Sequence, residues 1–125
     1  MEKEIEQIVG KMLIERNLTI SLAESCTGGM IASKLVNYPG ISSVFVEACV
    51  TYSNGAKMSR LNVKSTTLEK YGAVSQETAR EMAYGIANTS GTDIGISVTG
   101  IAGPDGGTPQ KQLDLYMWVY IYKEM

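Results

Sequence analysis

The feature that most constrains the fold is a polar stretch, Glu24–Gly29, that separates a strand pattern from a helix pattern. In residues 18–23, apolar side chains alternate with small or polar ones, which is the period of a half-buried strand. In residues 30–35, apolar side chains recur at helical spacing. The polar stretch is therefore predicted to be a tight turn at the carboxyl end of a strand. Open α/β sheets bind their ligands at this position.

Two interpretations of this turn remain open on its residues alone. Gly28 and Gly29 leave the first amides of the following helix free to bind an anion, which the helix dipole also favours. Ser25 and Thr27, however, are good helix N-caps, and paired glycines are ordinary turn residues. The stretch is thus either a ligand site or a well-capped turn.

Composition predicts one soluble globular domain over residues 1–125, because the chain is 125 residues long and 44% hydrophobic. The net charge of −2, with no basic cluster, argues against a nucleic-acid surface. No apolar run is long enough to cross a bilayer, and the acidic amino terminus argues against a signal peptide. Only two cysteines, Cys26 and Cys49, are present, so we expect a reducing, cytoplasmic setting.

The chain contains no histidine. Ser-His-Asp and Cys-His catalysis within one chain, and metal sites built on histidine, are therefore excluded. Two cysteines cannot form a four-thiolate zinc site, so no metal is expected. A hydrolase of this composition must take its general base from a lysine, a carboxylate, a tyrosine or a water.

Strand and helix patterns alternate along the chain. Helices are predicted at residues 2–16, 30–35, 54–61 and 66–70, and a further one begins after Ser75. Strands are predicted at residues 18–23, 43–52, 94–99 and 113–122, and the apolar run at 43–52 is expected to be buried on both faces. This order predicts an α/β fold, a three-layer α/β/α sandwich with a mostly parallel sheet.

Three polar loops, residues 24–29, 51–57 and 99–107, each follow a predicted strand. If those strands are parallel, the loops meet at one edge of the sheet and form one pocket. Lys57 would lie one turn into the helix that begins at Ser53 and could point back into this pocket. A lysine that is partly desolvated there could accept a proton from a serine hydroxyl. Alternatively, Lys57 is a solvated helix residue, Tyr52 a core aromatic and Cys26 a small buried hydrophobe.

Four strings in the same order resemble the CinA carboxy-terminal domain, the nicotinamide-nucleotide amidase family. They are residues 23–29 (AESCTGG), 50–57 (VTYSNGAK), 72–75 (GAVS) and 99–107 (TGIAGPDGG). The resemblance covers roughly residues 5–111. It implies hydrolysis of the carboxamide of nicotinamide mononucleotide to nicotinic acid mononucleotide and ammonia, with no metal or cofactor and a small nucleotide as the partner molecule.

The resemblance also implies a serine–lysine mechanism, with Ser25 as the nucleophile and Lys57 as its base. The thiol of Cys26 is intrinsically a better nucleophile than the hydroxyl of Ser25. Adjacent residues at a helix start point in different directions, however, so only one of the two side chains can face the pocket. Tyr52 is the third catalytic candidate. The substrate-binding candidates are Glu24, Thr27, Gly28, Gly29, Asn54, Thr99, Gly100 and Gly103, although Glu24 could instead only hold neighbouring backbone amides.

The carboxyl end departs from the family pattern. Residues 111–114 read KQLD where relatives have Lys-Pro-x-Gly, and relatives continue through another strand and a closing helix. We therefore expect a domain truncated at this end. The apolar strand at 113–122 needs neighbours, so a homo-oligomer, most simply a two-fold dimer, is expected to cover it. The alternative function is that of a catalytically silent relative that binds a nucleotide or a protein.

Overall fold

The protein is described by a computed structural model that covers residues 4–101 and 115–121. Within these residues the structure contains one sheet of four strands, in the order β2-β1-β3-β4. The strands are β1 (Ile20–Glu24), β2 (Phe45–Val50), β3 (Ile94–Gly100) and β4 (Leu115–Ile121). β1 is parallel to both β2 and β3, whereas β4 is antiparallel to β3. The predicted mostly parallel sheet is therefore confirmed.

Helices cover both faces of the sheet. They are α1 (Ile5–Arg16), α2 (Met30–Leu35), α3 (Asn54–Leu61), α4 (Ser65–Tyr71) and α5 (Gln76–Ser90). One apolar cluster joins α1 and α2 to Leu22 of β1, and a second joins α3, α4 and α5 to Ala23. Because neighbouring residues of a strand point to opposite faces, the two clusters lie on opposite sides of the sheet. This arrangement is the predicted α/β/α sandwich.

The first strand is the centre of the molecule, since all five of its residues are buried. It begins at Ile20, two residues later than predicted, and it includes Glu24. Its carboxyl end therefore delivers Glu24 and Ser25 directly to the edge of the sheet where β2 and β3 also end. None of the helices in the described ranges is both long and apolar enough to cross a membrane.

The prediction that residues 43–52 form a strand buried on both faces is wrong. β2 spans only Phe45–Val50 and lies at an edge of the sheet with β1 as its one neighbouring strand. Val46 and Val50 are 55% and 49% exposed. A short apolar run fits a central strand and an edge strand equally well, and the order of strands in the sheet decides between them.

The last strand has one covered face and one open face. Tyr116, Trp118 and Tyr120 are half-buried, and the ring of Tyr120 meets Tyr84 of α5 edge to face with centroids 5.0 Å apart. The apolar side chains of the opposite face are about half exposed or more: Leu115, Met117, Val119 and Ile121. The need for a neighbour therefore applies to one face of this strand rather than to both.

We expect the chain to self-associate through this open face, because burying each large apolar side chain contributes on the order of 1.5–3 kcal/mol. Light scattering at micromolar concentration should show a dimer or larger species, and Val119→Glu should shift it towards the monomer. Val36→Glu, at a similarly exposed residue elsewhere (58%), is the matched control. A monodisperse monomer of the unaltered chain would contradict the prediction.

The packing of α5 on α3 requires a glycine at residue 85. A β-carbon added to Gly85 would overlap the carbonyl oxygen of Leu61 at the end of α3. Gly55, in α3, has open space, since the nearest atom to its added β-carbon is the Ser53 hydroxyl oxygen at 3.9 Å. The two glycines therefore share a helical setting but differ in their surroundings.

Alanine at residue 85 should destabilise the protein, whereas alanine at residue 55 should not. Both changes gain helix propensity of roughly 1 kcal/mol, but Gly85→Ala should lower the free energy of unfolding by about 1–3 kcal/mol because it overpacks the helix contact. Gly55→Ala should be neutral or stabilising. Urea unfolding of the two variants checks this, and equal effects would show that α3 and α5 can separate at little cost.

Candidate active site

The turn after β1 is folded around the carboxylate of Glu24, which is almost fully buried. One carboxylate oxygen accepts hydrogen bonds from the hydroxyl of Thr27 (2.6 Å) and the amides of Gly29 and Ile31 (3.1 Å each). The other accepts from the amide of Ala32 at 2.9 Å. The carboxylate thus binds the first amides of α2, as one interpretation of the sequence had it.

Two glycines allow the chain to make this turn. Gly28 and Gly29 have φ angles of +61° and +104°, which residues other than glycine rarely adopt. The expectation that the paired glycines leave the first amides open to an anion is wrong. The amides of Gly29, Ile31 and Ala32 bind the carboxylate of Glu24. Those of Gly28 and Met30 donate to the carbonyls of Ser25 and Thr27. The turn leaves Ser25 at its start, where its amide donates to the carbonyl of Val98 in β3 (3.0 Å).

Lys57 reaches Ser25 from the neighbouring loop. Ser53 begins α3 by accepting a hydrogen bond from the amide of Ala56 (3.0 Å), so Lys57 lies in the first turn of that helix. Its Nζ lies 3.1 Å from the Oγ of Ser25. The two residues are only 1% and 6% exposed, respectively. Lys57 is therefore not the solvated helix lysine of the alternative interpretation.

The Lys57 amine has two further partners, both backbone carbonyls. Nζ lies 2.8 Å from the oxygen of Thr51 and 3.1 Å from the oxygen of Tyr52. A neutral amine has two N–H groups and one lone pair. If its two N–H groups donate to these carbonyls, the lone pair is left for the hydroxyl of Ser25. Within residues 4–101 and 115–121, no carboxylate forms a salt bridge with Lys57.

Burial lowers the pKa of Lys57 from its ordinary value of 10.5, and a weaker interaction with Cys26 opposes the shift. The physical cause is desolvation. Hydration stabilises the charged ammonium much more than the neutral amine, so burial disfavours the charged form. A lysine of lowered pKa holds its neutral form at a less alkaline pH. That form is the one able to accept a proton from Ser25.

This lowered pKa predicts a pH-dependent stability. Between the folded value and 10.5, the unfolded chain holds a proton on Lys57 that the folded protein lacks, so the free energy of unfolding should rise with pH across that window. Lys57→Met removes the titrating group. In urea titrations, the unfolding free energy of the unaltered protein minus that of Lys57→Met should therefore become more positive as the pH rises. A difference independent of pH would show that the pKa is not lowered.

The described residues of the three loops, which include only 99–101 of the third, converge as predicted. A cavity of about 250 Å³ at the carboxyl ends of β1 and β3 is lined by side chains or backbone from each loop. Ser25, Lys57 and Thr99 all lie on its wall, so the predicted meeting of these three residues is confirmed. Among the described residues, the lining is Ser25, Cys26, Tyr52, Lys57, Ala73, Val74, Thr99, Gly100 and Ile101.

Tyr52 lies at this cavity but is not a core aromatic, because it is 72% exposed. Its backbone carbonyl binds Lys57, while its side chain is open to solvent. Cys26 also lines the cavity, and burial raises the pKa of its thiol although the amides of Cys26 and Thr27 and the charge of Lys57 favour the thiolate. The thiol is thus held protonated beside the Ser25–Lys57 pair.

The other predicted binding residues differ in position. Gly100 lies on the cavity wall with Thr99, whereas Glu24, Thr27, Gly28 and Gly29 form the turn beneath it and are not part of its lining. Asn54 lies at a separate cavity with Met58, Ser65, Leu68 and Glu69. Gly103 lies outside the described residues. A substrate-binding role for these residues stays a prediction.

The sequence analysis missed the part of the cavity wall that Ala73 and Val74 form, whereas Ile101 belongs to the predicted loop at 99–107. The hydroxyl of Thr99 donates to the carbonyl of Ala73 (2.8 Å) and thereby ties this wall to the end of β3. Ser75 and Thr78 both donate to the carbonyl of Gly72 (2.9 and 2.7 Å). The string at 72–75 was the available signal, but Ala73 and Val74 carry no polar side chain, and Ser75 was interpreted as the cap of the following helix.

Comparison with known proteins gives a consistent result. Residues 2–121 match the CinA C-terminal domain. A relative from Clostridium kluyveri, named competence-damage inducible protein, is 64% identical over 117 residues, which is 93% of this chain and 28% of that protein. A Clostridium perfringens relative of the same name is 64% identical over 114 residues. The chain thus spans about 28% of the length of these relatives.

Solved structures show the same fold. The competence/damage inducible protein CihA from Agrobacterium tumefaciens is 36% identical with a TM-score of 0.87, covering 97% of this chain and 76% of that one. A CinA superfamily protein from Klebsiella pneumoniae is 33% identical with a TM-score of 0.90, covering 94% of this chain and 74% of that one.

Proposed function

The chain belongs to the CinA C-terminal domain family, and on that premise we propose that it is an amidohydrolase that uses Ser25 and Lys57. The observation that carries the proposal is the 3.1 Å contact between the Ser25 hydroxyl and the Lys57 amine. A buried lysine that has no carboxylate partner among the described residues, set against a serine in a cavity, can activate that hydroxyl in a chain without histidine.

The reaction begins with proton transfer from Ser25 to Lys57. The Ser25 oxygen attacks the carbonyl carbon of the amide. The ammonium of Lys57 then protonates the amide nitrogen as the carbon–nitrogen bond breaks, so that ammonia leaves and an acyl–Ser25 ester remains. A water then attacks the acyl–Ser25 ester, again with Lys57 as the base, and releases the carboxylic acid. The carbonyls of Thr51 and Tyr52 stabilise the ammonium between these steps, since they can bind its N–H groups.

The oxyanion of the tetrahedral intermediate requires N–H donors close to Ser25. The amides of Cys26 and Thr27 favour negative charge at the Cys26 sulfur, which lies beside the same cavity. These two amides are therefore our candidates for the oxyanion site. They belong to the turn that Glu24 holds in place.

The proposed substrate is nicotinamide mononucleotide, which the resemblance of the four strings to the amidase family implies. Two features of the cavity support a flat aromatic amide. Its volume of about 250 Å³ suits a ring with its carboxamide rather than a large molecule. Its lining also combines the polar side chains of Ser25 and Lys57 with the apolar side chains of Ala73, Val74 and Ile101. The ring would contact the apolar side chains while the amide reaches Ser25.

Ammonia release from nicotinamide mononucleotide by the purified chain tests the proposal. Ser25→Ala and Lys57→Met should each lower kcat by at least about 100-fold, the lower end of what a positioned base contributes. Cys26→Ala should retain most of the activity and is the matched control. The rate should rise with pH as Lys57 loses its proton, at a pH below the ordinary lysine value because its pKa is lowered.

Two results would contradict the proposal. Loss of activity in Cys26→Ala but not in Ser25→Ala would assign the nucleophile to the thiol. Saturable binding of nicotinamide mononucleotide without ammonia release would support the alternative function, that of a silent relative that binds a nucleotide.

A further inference from the structure

A second cavity, larger than the one at Ser25, lies between α5, the end of α3 and the covered face of β4. Its volume is about 500 Å³, within the range of small-molecule sites. Among the residues that the structure describes, the two cavities share no lining residue. Tyr120 and Trp118 on its wall pair with Gly95 and Ser97 of β3, away from Thr99 at the catalytic end of that strand.

One wall of this cavity is aromatic. The rings of Tyr84 and Tyr120 meet at 87° with centroids 5.0 Å apart, so together they form a corner. Trp118 lies two residues from Tyr120 and therefore on the same face of β4. Tyr84 is 49% exposed, so part of this aromatic surface is open to a ligand. A planar ring can stack on such a surface.

The rim of the cavity is cationic. Arg80 and Lys64 both line it, and within the described part of the chain neither forms a salt bridge. The third charged group there is Glu81, whose two oxygens accept from the amide of Lys64 (2.9 Å) and the hydroxyl of Thr67 (2.5 Å). Glu81 is thus bonded to the start of α4, and no carboxylate of the described residues pairs with the guanidinium of Arg80.

We propose that this cavity is a second small-molecule site that binds an aromatic ring carrying an anionic group, the chemistry of a nucleotide. The ring stacks against Trp118 and the tyrosine corner, and the anion pairs with Arg80, whose planar fork suits phosphate or carboxylate. The site stands on residues that play no part in the proposed amidase reaction. It therefore does not depend on the proposed function.

Trp118 is the only tryptophan of the chain, so its fluorescence reports occupancy of this cavity directly. Titration of the full chain with adenosine monophosphate should change that fluorescence saturably, with a Kd below about 1 mM. Adenosine, which lacks the anion, and ribose 5-phosphate, which lacks the ring, should each bind at least about tenfold more weakly. Calorimetry with the same ligands provides a readout that does not need Trp118.

Arg80→Gln should weaken binding of adenosine monophosphate at least about tenfold. Arg60→Gln, an exposed arginine of α3 that does not line the cavity, should leave it unchanged. Both arginines are exposed, so neither change should disturb folding. The proposal is overturned if adenosine monophosphate gives no saturable signal by either method. It is equally overturned if adenosine binds as tightly, or if Arg80→Gln and Arg60→Gln bind alike.

Discussion

The carboxylate of Glu24 is buried at the carboxyl end of β1, and four donors from the following turn and helix bind its two oxygens. A buried carboxylate is strongly destabilising unless hydrogen bonds replace its hydration. The turn must therefore close around it, which requires left-handed backbone at Gly28 and Gly29. This one constraint fixes the direction of α2 and leaves Ser25 facing the neighbouring loops.

A second buried polar group completes the site from the other side. Lys57 gives up its solvation in exchange for the carbonyls of Thr51 and Tyr52 and the hydroxyl of Ser25. Desolvation lowers its pKa, so the same burial that costs stability increases the fraction of the amine that is neutral and able to accept a proton. The Ser25 site is thus held by two buried polar side chains, Glu24 at the end of β1 and Lys57 in the first turn of α3, each bonded largely to backbone groups.

The sequence predicted those parts of the fold that depend on local pattern. The helices, the α/β class and the mostly parallel sheet follow from periodicity and from the alternation of elements, and the structure bears them out. The meeting of Ser25, Lys57 and Thr99 also followed, because the ends of parallel strands share an edge. Burial of β2 was predicted wrongly, since an apolar run carries no information about which strands become its neighbours.

By itself, the sequence determined the reactive groups and the fold class: a chain without histidine, a serine and a lysine each after an apolar strand, and glycines where the turn needs them. Only the tertiary structure decided how these groups are used. It turned Glu24 away from the cavity wall to bind amides, exposed Tyr52, placed Asn54 at a different cavity and built an apolar wall from Ala73 and Val74. The reason is that burial and side-chain direction depend on contacts between residues far apart in the chain, which a local pattern does not encode.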